Sequence, residues 1–396
     1  MNVAYAERMQ RVKPSAIGEL LKLGAEPDII AFGGGFPDAS LFPMDALRQT
    51  YDQVFSRYGG EALQYSISEG ILPLREKLAI RMQNAGVACG TGNIQLVQGA
   101  QQGLDLIGKL FINKGDIILV ERPTFIGALV AFIPYEPQFR EIPMTDDGMD
   151  LDYLEALLRT TRNIKLIYTV PEFQNPTGKT MPAANRMRLV ELAEKYHVMI
   201  LEDSPYREIR YTGEAVAPIK SFDECGHVIH LGSFSKILCP GLRVGWIVAD
   251  EDVTKKLCQL KMAADTQNTT LNMYAIDVFL AQYDLDAHIE RLCDAYHKKR
   301  DLMLSVMDAA FPDDILYTRP EGGLFTWVTL PRHMDAAEVM REKLLPEARV
   351  AYIPGDEFFA ATPEKNHFRA NFTFVSNEKI TEGIIRMGET FRRCLK

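Results

Sequence analysis

The amino-acid sequence predicts an α/β protein: a large domain on a mostly parallel sheet with helices on both faces, joined to a smaller α+β domain. Three observations carry this. Short apolar, β-branched runs alternate with helical periodicity through the middle of the chain, as strands buried on both faces require. Farther on, two segments alternate apolar and polar residues strictly, as half-buried strands do. The length, 396 residues, exceeds one ordinary domain and falls short of three.

Taken in order, Ile94-Gln95-Leu96-Val97 reads as a strand, and after Gly99 a helix presents Leu104, Ile107, Gly108 and Phe111 on one face. Asn113 to Asp116 stops it, and residues 117–120 form the next strand. Residues 165–170 make another, followed by a helix with Leu189, Leu192, Ala193 and Tyr196 on one face, which returns to residues 198–201. Strands at 227–231 and 244–249 complete the alternation. One long helical stretch from about Leu271 to Met307 leads into the C-terminal part, where residues 322–328 and 368–374 alternate and residues 379–395 form an amphipathic helix. The expected organisation is an N-terminal arm with part of the small domain at 1–44, the large domain at 45–285 and the small C-terminal domain at 286–396.

Composition narrows the function classes. Hydrophobic residues make up 47% and charged residues 24%, which argues against disorder. Lysine and arginine total 44 against 53 acids, a net charge of −9, so no global footprint for nucleic acid or an anionic membrane exists. Any anion must be held by a local site. The first eight residues lack the apolar core of a signal peptide, and no apolar run nears a membrane span. Six cysteines without a repeating spacing suit free thiols, so a cytoplasmic protein is expected.

In an open parallel sheet, ligands sit beyond the carboxyl ends of the strands, and each unusual polar cluster falls there. Gly99-Ala100-Gln101-Gln102-Gly103 opens a helix, where free N–H groups and the positive dipole end favour a phosphate. Ser233, Ser235 and Arg243 add hydroxyl donors and a guanidinium fork. Lys236 beside them, partly desolvated and near cations, would have a lowered pKa and could form a Schiff base. Asp203 could keep a ring nitrogen protonated, Asn175 and Tyr206 could bond a ring oxygen, and Phe125 could stack on the ring face. Together these demands describe pyridoxal 5′-phosphate. Singly, each has a bland alternative: Asn175-Pro176-Thr177-Gly178 is an ordinary turn and Asp203 an ordinary cap. Their order at successive strand ends decides.

Ser233-Phe234-Ser235-Lys236 with Arg243, Asn175-Pro176-Thr177-Gly178, and Asp203 with Tyr206 resemble the signature of class I/II aminotransferases, and the resemblance covers nearly the whole chain. It is nearest the 2-aminoadipate, kynurenine and aromatic branch, through Gly34-Gly35-Phe36-Pro37, Leu63-Gln64-Tyr65-Ser66 and Gly241-Leu242-Arg243-Val244-Gly245. The resemblance implies the aspartate aminotransferase fold, pyridoxal 5′-phosphate and a homodimer with shared active sites. By it Lys236 is the cofactor-linked, proton-moving lysine, Asp203 pairs the ring nitrogen, and Asn175 and Tyr206 meet the ring oxygen. Gly99, Ala100, Gln101, Ser233, Ser235 and Arg243 surround the phosphate, joined by Tyr65 of a neighbouring subunit. Arg369 would grip the substrate α-carboxylate, with Gly35 and Asn175 lining that pocket. Phe368, Ala370, Phe372 and Phe374 share one strand face, so Arg369 and Asn371 point the other way.

The implied activity is transfer of an amino group from an aromatic or large neutral amino acid, with 2-aminoadipate a weaker donor, to a 2-oxo acid, 2-oxoglutarate first. The stretch 11–23 resembles the helix that closes over substrate in this branch, and Gly18 stands where acidic-substrate enzymes carry an arginine; Arg8 or Arg11 would then have to serve a distal carboxylate. Rival readings are a cysteine-conjugate β-lyase, which the same lysine permits, and the effector-sensing domain of a transcription regulator, which the charge balance disfavours. Gly33-Gly34-Gly35 is not a dinucleotide loop, because the third glycine of that motif falls on Asp38 and Pro37 occupies the helix start. Cys225, His227 and His230 do not share one strand face, so no metal is expected.

Overall fold

The computed structural model describes residues 3–12, 26 and 28–395, and among them fourteen strands form three sheets. Eight of them, β2 (Ile94–Val97), β3 (Ile117–Arg122), β4 (Gln138–Thr145), β5 (Gly148–Met149), β6 (Ile164–Thr169), β7 (Met199–Asp203), β8 (Val228–Ser233) and β9 (Gly245–Val248), make one sheet in the order β2-β9-β8-β7-β6-β3-β4-β5. Strands β4, β3, β6, β7 and β8 pair in parallel. Strand β9 runs antiparallel between β2 and β8, and β5 closes a short antiparallel edge.

The apolar strands serve two cores because their side chains alternate between faces. Ile118, Val120, Leu166, Tyr168 and Leu201 point to one cluster; Leu119, Ile167, Ile200 and Val228 point to another. Helices α1 (Met44–Tyr58), α2 (Leu72–Asn84) and α3 (Ala100–Phe111) cover the first face with Val54, Leu78 and Leu104. Two further helices, α4 (Leu151–Thr160) and α5 (Ala183–Tyr196), cover the second with Leu154, Leu189 and Ala193. Asp150 starts α4 by accepting hydrogen bonds from the N–H groups of Asp152 and Tyr153.

The expected single helix over 271–307 is two, α6 (Thr270–Gln282) and α7 (Leu285–Ala310). Periodicity ran through the junction, but Tyr283 is extended and the Asp284 carboxylate caps α7 by accepting from the Ala287 N–H. Helix α7 then joins two cores: Leu285, Leu292 and Tyr296 belong to that of the large sheet, and Met303, Leu304 and Met307 to a separate one. The separate core lies under an antiparallel sheet of β10 (Leu316–Tyr317), β11 (Phe325–Thr329), β14 (His367–Asn371) and β13 (Ile353–Pro354), in that order. It is closed by Ile384 and Phe391 of the terminal helix α8 (Asn377–Cys394). The N-terminal segment joins this part, since β1 (Ile30–Ala31) pairs in parallel with β12 (Val350–Ala351).

One glycine positions the carboxyl edge. A Cβ on Gly245 would lie 2.9 Å from the Gly232 carbonyl oxygen, 3.0 Å from the Gly99 carbonyl carbon and 3.1 Å from the Ala100 nitrogen. These are backbone atoms that cannot swing aside, so Gly245→Ala must push the turn before α3 away from β8. Overpacking of this kind costs about 1–3 kcal/mol. The expected outcome is a lower denaturant midpoint with an unchanged slope, together with faster amide exchange at Gly99 to Gln101 than at the strand centres.

Candidate active site

The carboxyl ends of β2, β3, β6, β7 and β8 open into one cavity of about 310 Å³, within the usual range for small-molecule sites. Every turn marked in the sequence reaches it. Ala100, Gln101, Phe125, Asn175, Asp203, Tyr206, Ser233, Ser235, Lys236, Arg243 and Arg369 line it, and Gly35 closes the side toward the smaller sheet.

At its centre are a lysine and a carboxylate. Lys236 Nζ donates to the Gly35 carbonyl at 2.7 Å. Burial, then the positive charges of Arg369 and Arg243, lower its pKa to about 8. Asp203 ends β7 and is buried; its Oδ2 accepts from the Tyr168 hydroxyl at 2.8 Å. Its Oδ1 is buried without a partner. Burial raises the Asp203 pKa to about 6, against the lowering effect of Tyr168 and His230. A buried carboxylate oxygen left unpaired is costly, and Asp203 is among the residues that line the cavity.

Arg369 fills the wall opposite. Its Nη1 donates to Asn175 Oδ1 and its Nη2 to the Gly33 carbonyl, both at 2.8 Å, while Nε has no partner. The guanidinium lies 4.0 Å from the Phe325 ring centroid, and burial drops its pKa to about 10. Asn175 Nδ2 donates in turn to the Tyr206 hydroxyl at 3.1 Å, and burial pushes Tyr206 up to about 12. Arg369, Asn175 and Tyr206 thus form one buried chain.

The other end of the cavity is built for an anion. Helix α3 starts at Ala100; Ser233 and Ser235 face it, with Ser233 Oγ accepting from the Ser235 N–H at 3.1 Å. Arg243 is anchored by Nη2 donating to the Gln98 carbonyl at 2.9 Å. Gly99 does not line the cavity. With φ of +77° it stands behind Arg243, and a Cβ there would sit 2.6 Å from Nη2, so glycine makes room for the guanidinium. Phe125 likewise depends on Gly127, where a Cβ would strike its ring.

The remaining expectations fall elsewhere. Tyr65 is 82% exposed and reaches no part of its own chain's cavity. Gly18 and its helix lie outside the described residues. Arg11 reaches Glu136 at 4.0 Å rather than the cavity. Two features escaped sequence reasoning. Tyr168 was read only as strand core, and nothing in the β6 pattern separates its hydroxyl from a buried phenyl edge. Asn371 was placed on the Arg369 face without a task; it holds the Gly34 carbonyl through Nδ2 at 2.7 Å.

The residues fit pyridoxal 5′-phosphate. Asp203 Oδ1 is a buried acceptor without a partner, as a ring N–H would need, the serines, Arg243 and the α3 start would suit a phosphate, and Lys236 would supply the amine.

Comparisons with known proteins agree with this fit. The family model described as aminotransferase class I and II matches residues 27–386. Aromatic-amino-acid aminotransferase 1 of Thermococcus litoralis is 43% identical, over 99% of this chain and 95% of that protein. The 2-aminoadipate transaminase of Thermus thermophilus is 37% identical, over 99% and 97%. The crystal structure of Pyrococcus horikoshii kynurenine aminotransferase, with PMP and kynurenine, superposes with a TM-score of 0.94 at 39% identity, covering 99% of this chain and 98% of that one.

A lysine with a lowered pKa is neutral, hence nucleophilic, above that value. In cofactor-free protein, peptide mapping after trinitrobenzenesulfonate treatment should show Lys236 modification rising through pH of about 8. Surface lysines should follow near the ordinary value of about 10.4. A Lys236 midpoint among the surface lysines would contradict the electrostatics above.

Proposed function

Since the chain belongs to the class I and II aminotransferases and is a pyridoxal 5′-phosphate-dependent aminotransferase, we propose that its donors are aromatic or large neutral amino acids. The acceptor in this reading is a 2-oxo acid, 2-oxoglutarate first; its own distal carboxylate would have to be met by Arg8 or Arg11 from outside the cavity lining. One observation carries the donor preference. Among the described residues lining the cavity, the cations are Lys236, Arg243 and Arg369 alone, and each has a task. No fourth is at hand for the distal carboxylate of 2-aminoadipate or glutamate, and a buried charge without a partner costs several kcal/mol. Phe36, Leu104, Phe125 and Ile353 offer apolar surface instead. The names of the aromatic and kynurenine relatives point the same way, while that of the 2-aminoadipate relative points to an acidic donor.

The residues divide the work. Pyridoxal 5′-phosphate supplies an aldehyde that takes up the amino group and a ring that, protonated, withdraws electrons from the bond broken at the substrate Cα. Ser233, Ser235, Arg243 and the N-terminus of α3 hold its phosphate, and Asp203 Oδ1 holds the ring proton, with Tyr168 fixing the other oxygen. Arg369, with its free Nε, and Gly35 receive the substrate α-carboxylate. Lys236 Nζ, whose pKa burial and the two arginines lower to about 8, takes the Cα proton when deprotonated and returns it. Tyr206 and Asn175 bond the ring oxygen and tie the carboxylate pocket to the ring.

The same reading includes a cytoplasmic homodimer. Tyr65, Leu63 and Ile67 are exposed together, as residues reaching a second copy's phosphate end would be. No described helix is long and apolar enough to cross a membrane. Light scattering at twice the chain mass, and weaker cofactor retention in Tyr65→Phe, are expected.

Three measurements test the assignment. Lys236→Ala should fold, lose the visible absorbance of the lysine-linked cofactor and lose turnover; catalytic transamination by that variant would remove Lys236 from its role. Asp203→Asn should retain cofactor but lose orders of magnitude in rate, and a loss below about tenfold, roughly 1.4 kcal/mol, would count against the ring-proton role. A donor panel with 2-oxoglutarate should rank phenylalanine, tyrosine, kynurenine, leucine and methionine above 2-aminoadipate and glutamate in kcat/KM. Keto-acid formation marks transfer; release of ammonia and pyruvate would mark elimination.

A further inference from the structure

Residues Gly33 to Pro37 cross the cavity as a strap with no sheet partner, yet each successive carbonyl from Gly33 to Phe36 is taken by a side chain. Arg369 Nη2 holds Gly33, Asn371 Nδ2 holds Gly34 at 2.7 Å, and Lys236 Nζ holds Gly35. Asn371 Nδ2, at 3.2 Å, and Thr373 Oγ1, at 2.9 Å, share Phe36. Arg369 in the middle of β14, Asn371 at its end and Thr373 two residues beyond are alternate residues, all buried, and together they grip the strap at consecutive points. The far end is fastened too: Lys299 Nζ donates to Asp38 Oδ2 at 2.6 Å and to the Thr373 and Val375 carbonyls at 2.9 and 3.0 Å.

We propose that Asn371 is a positioning residue for the amino acid: its amide nitrogen sets the strap so that Gly35 and the Phe36 ring meet substrate at a fixed distance from Arg369. This rests on the assignment of Arg369 and Gly35 to the α-carboxylate. Asn371 does not line the cavity and touches neither Lys236 nor the phosphate end, so it acts through the strap. Gly34 has no side chain because a Cβ would strike the Phe36 ring, which tilts against Phe374 with centroids 5.4 Å apart. The strap is therefore seated at one register, and Asn371 Nδ2 ties it on both sides of Gly35, at Gly34 and at Phe36.

The amide has two ends, which permits a clean test. Asn371 Oδ1 accepts from the Thr373 and Phe374 N–H groups, a turn-capping task that any carboxylate oxygen also performs. Asn371→Asp keeps these acceptors, loses the donor to the strap and sets a carboxylate oxygen against the Gly34 and Phe36 carbonyls in its place. In the holoenzyme, Asn371→Asp should raise KM for phenylalanine about tenfold or more while kcat changes less than about threefold, and the lysine-linked cofactor absorbance should remain. Calorimetry with 3-phenylpropionate, an unreactive carboxylate of the same shape, should show Kd weakened about tenfold, the equivalent of about 1.4 kcal/mol. Should Asn371→Asp fail to fold, Thr373→Val, which removes the hydroxyl on Phe36, carries the same comparison with a smaller expected loss. KM and Kd within twofold of wild type would overturn the inference. Arg369→Lys, run alongside, separates it from its premise: if that variant binds 3-phenylpropionate normally the carboxylate assignment fails, whereas if it alone weakens binding only the role of Asn371 fails.

Discussion

The parallel sense of β3, β6, β7 and β8 is the constraint from which the site follows. Parallel neighbours cannot be joined by a tight turn, so each strand must leave at the carboxyl edge and return through a crossover. Residues as far apart in the chain as Phe125, Asn175, Asp203 and Lys236 are gathered at that edge. The antiparallel β9 fits between β2 and β8 because Gly245 lets three backbones meet, and this closeness sets the start of α3 beside Ser233.

Electrostatics make the gathered groups interdependent. Three cations face one buried carboxylate in a largely apolar cavity. Burial, then the charges of Arg369 and Arg243, lower the Lys236 pKa to about 8, so the amine sheds its proton more easily than a surface lysine does. Asp203 keeps its charge in a buried place through Tyr168 and His230, which oppose the cost of burial. A phosphate and a carboxylate therefore do more than anchor a ligand: they supply the negative charge this arrangement lacks.

Much of this was legible in the sequence, for physical reasons that also mark where legibility ends. The strand at 94–97 and the helix after it were read correctly because a glycine turn and a strong apolar face bracket them. The polar clusters were readable because parallel strands put them at one edge. The junction at Tyr283 was missed because a single capping aspartate interrupts an otherwise continuous periodicity. Gly99 was given to the phosphate itself, whereas its absent side chain serves Arg243, a distinction only packing reveals. The tasks of Tyr168 and Asn371 depend on contacts with residues 35 and 337 positions away, which no local pattern encodes.

Helix α7 has one more consequence. It begins in the core of the large sheet and ends in that of the small one. A rigid rod shared by two cores prevents either from melting without exposing apolar surface of the other, so their free energies are not separate quantities. The same rod links the mechanics of the two halves: a tilt of the small sheet, which carries Arg369, must be absorbed along α7 between Tyr296 in one core and Met303 in the other.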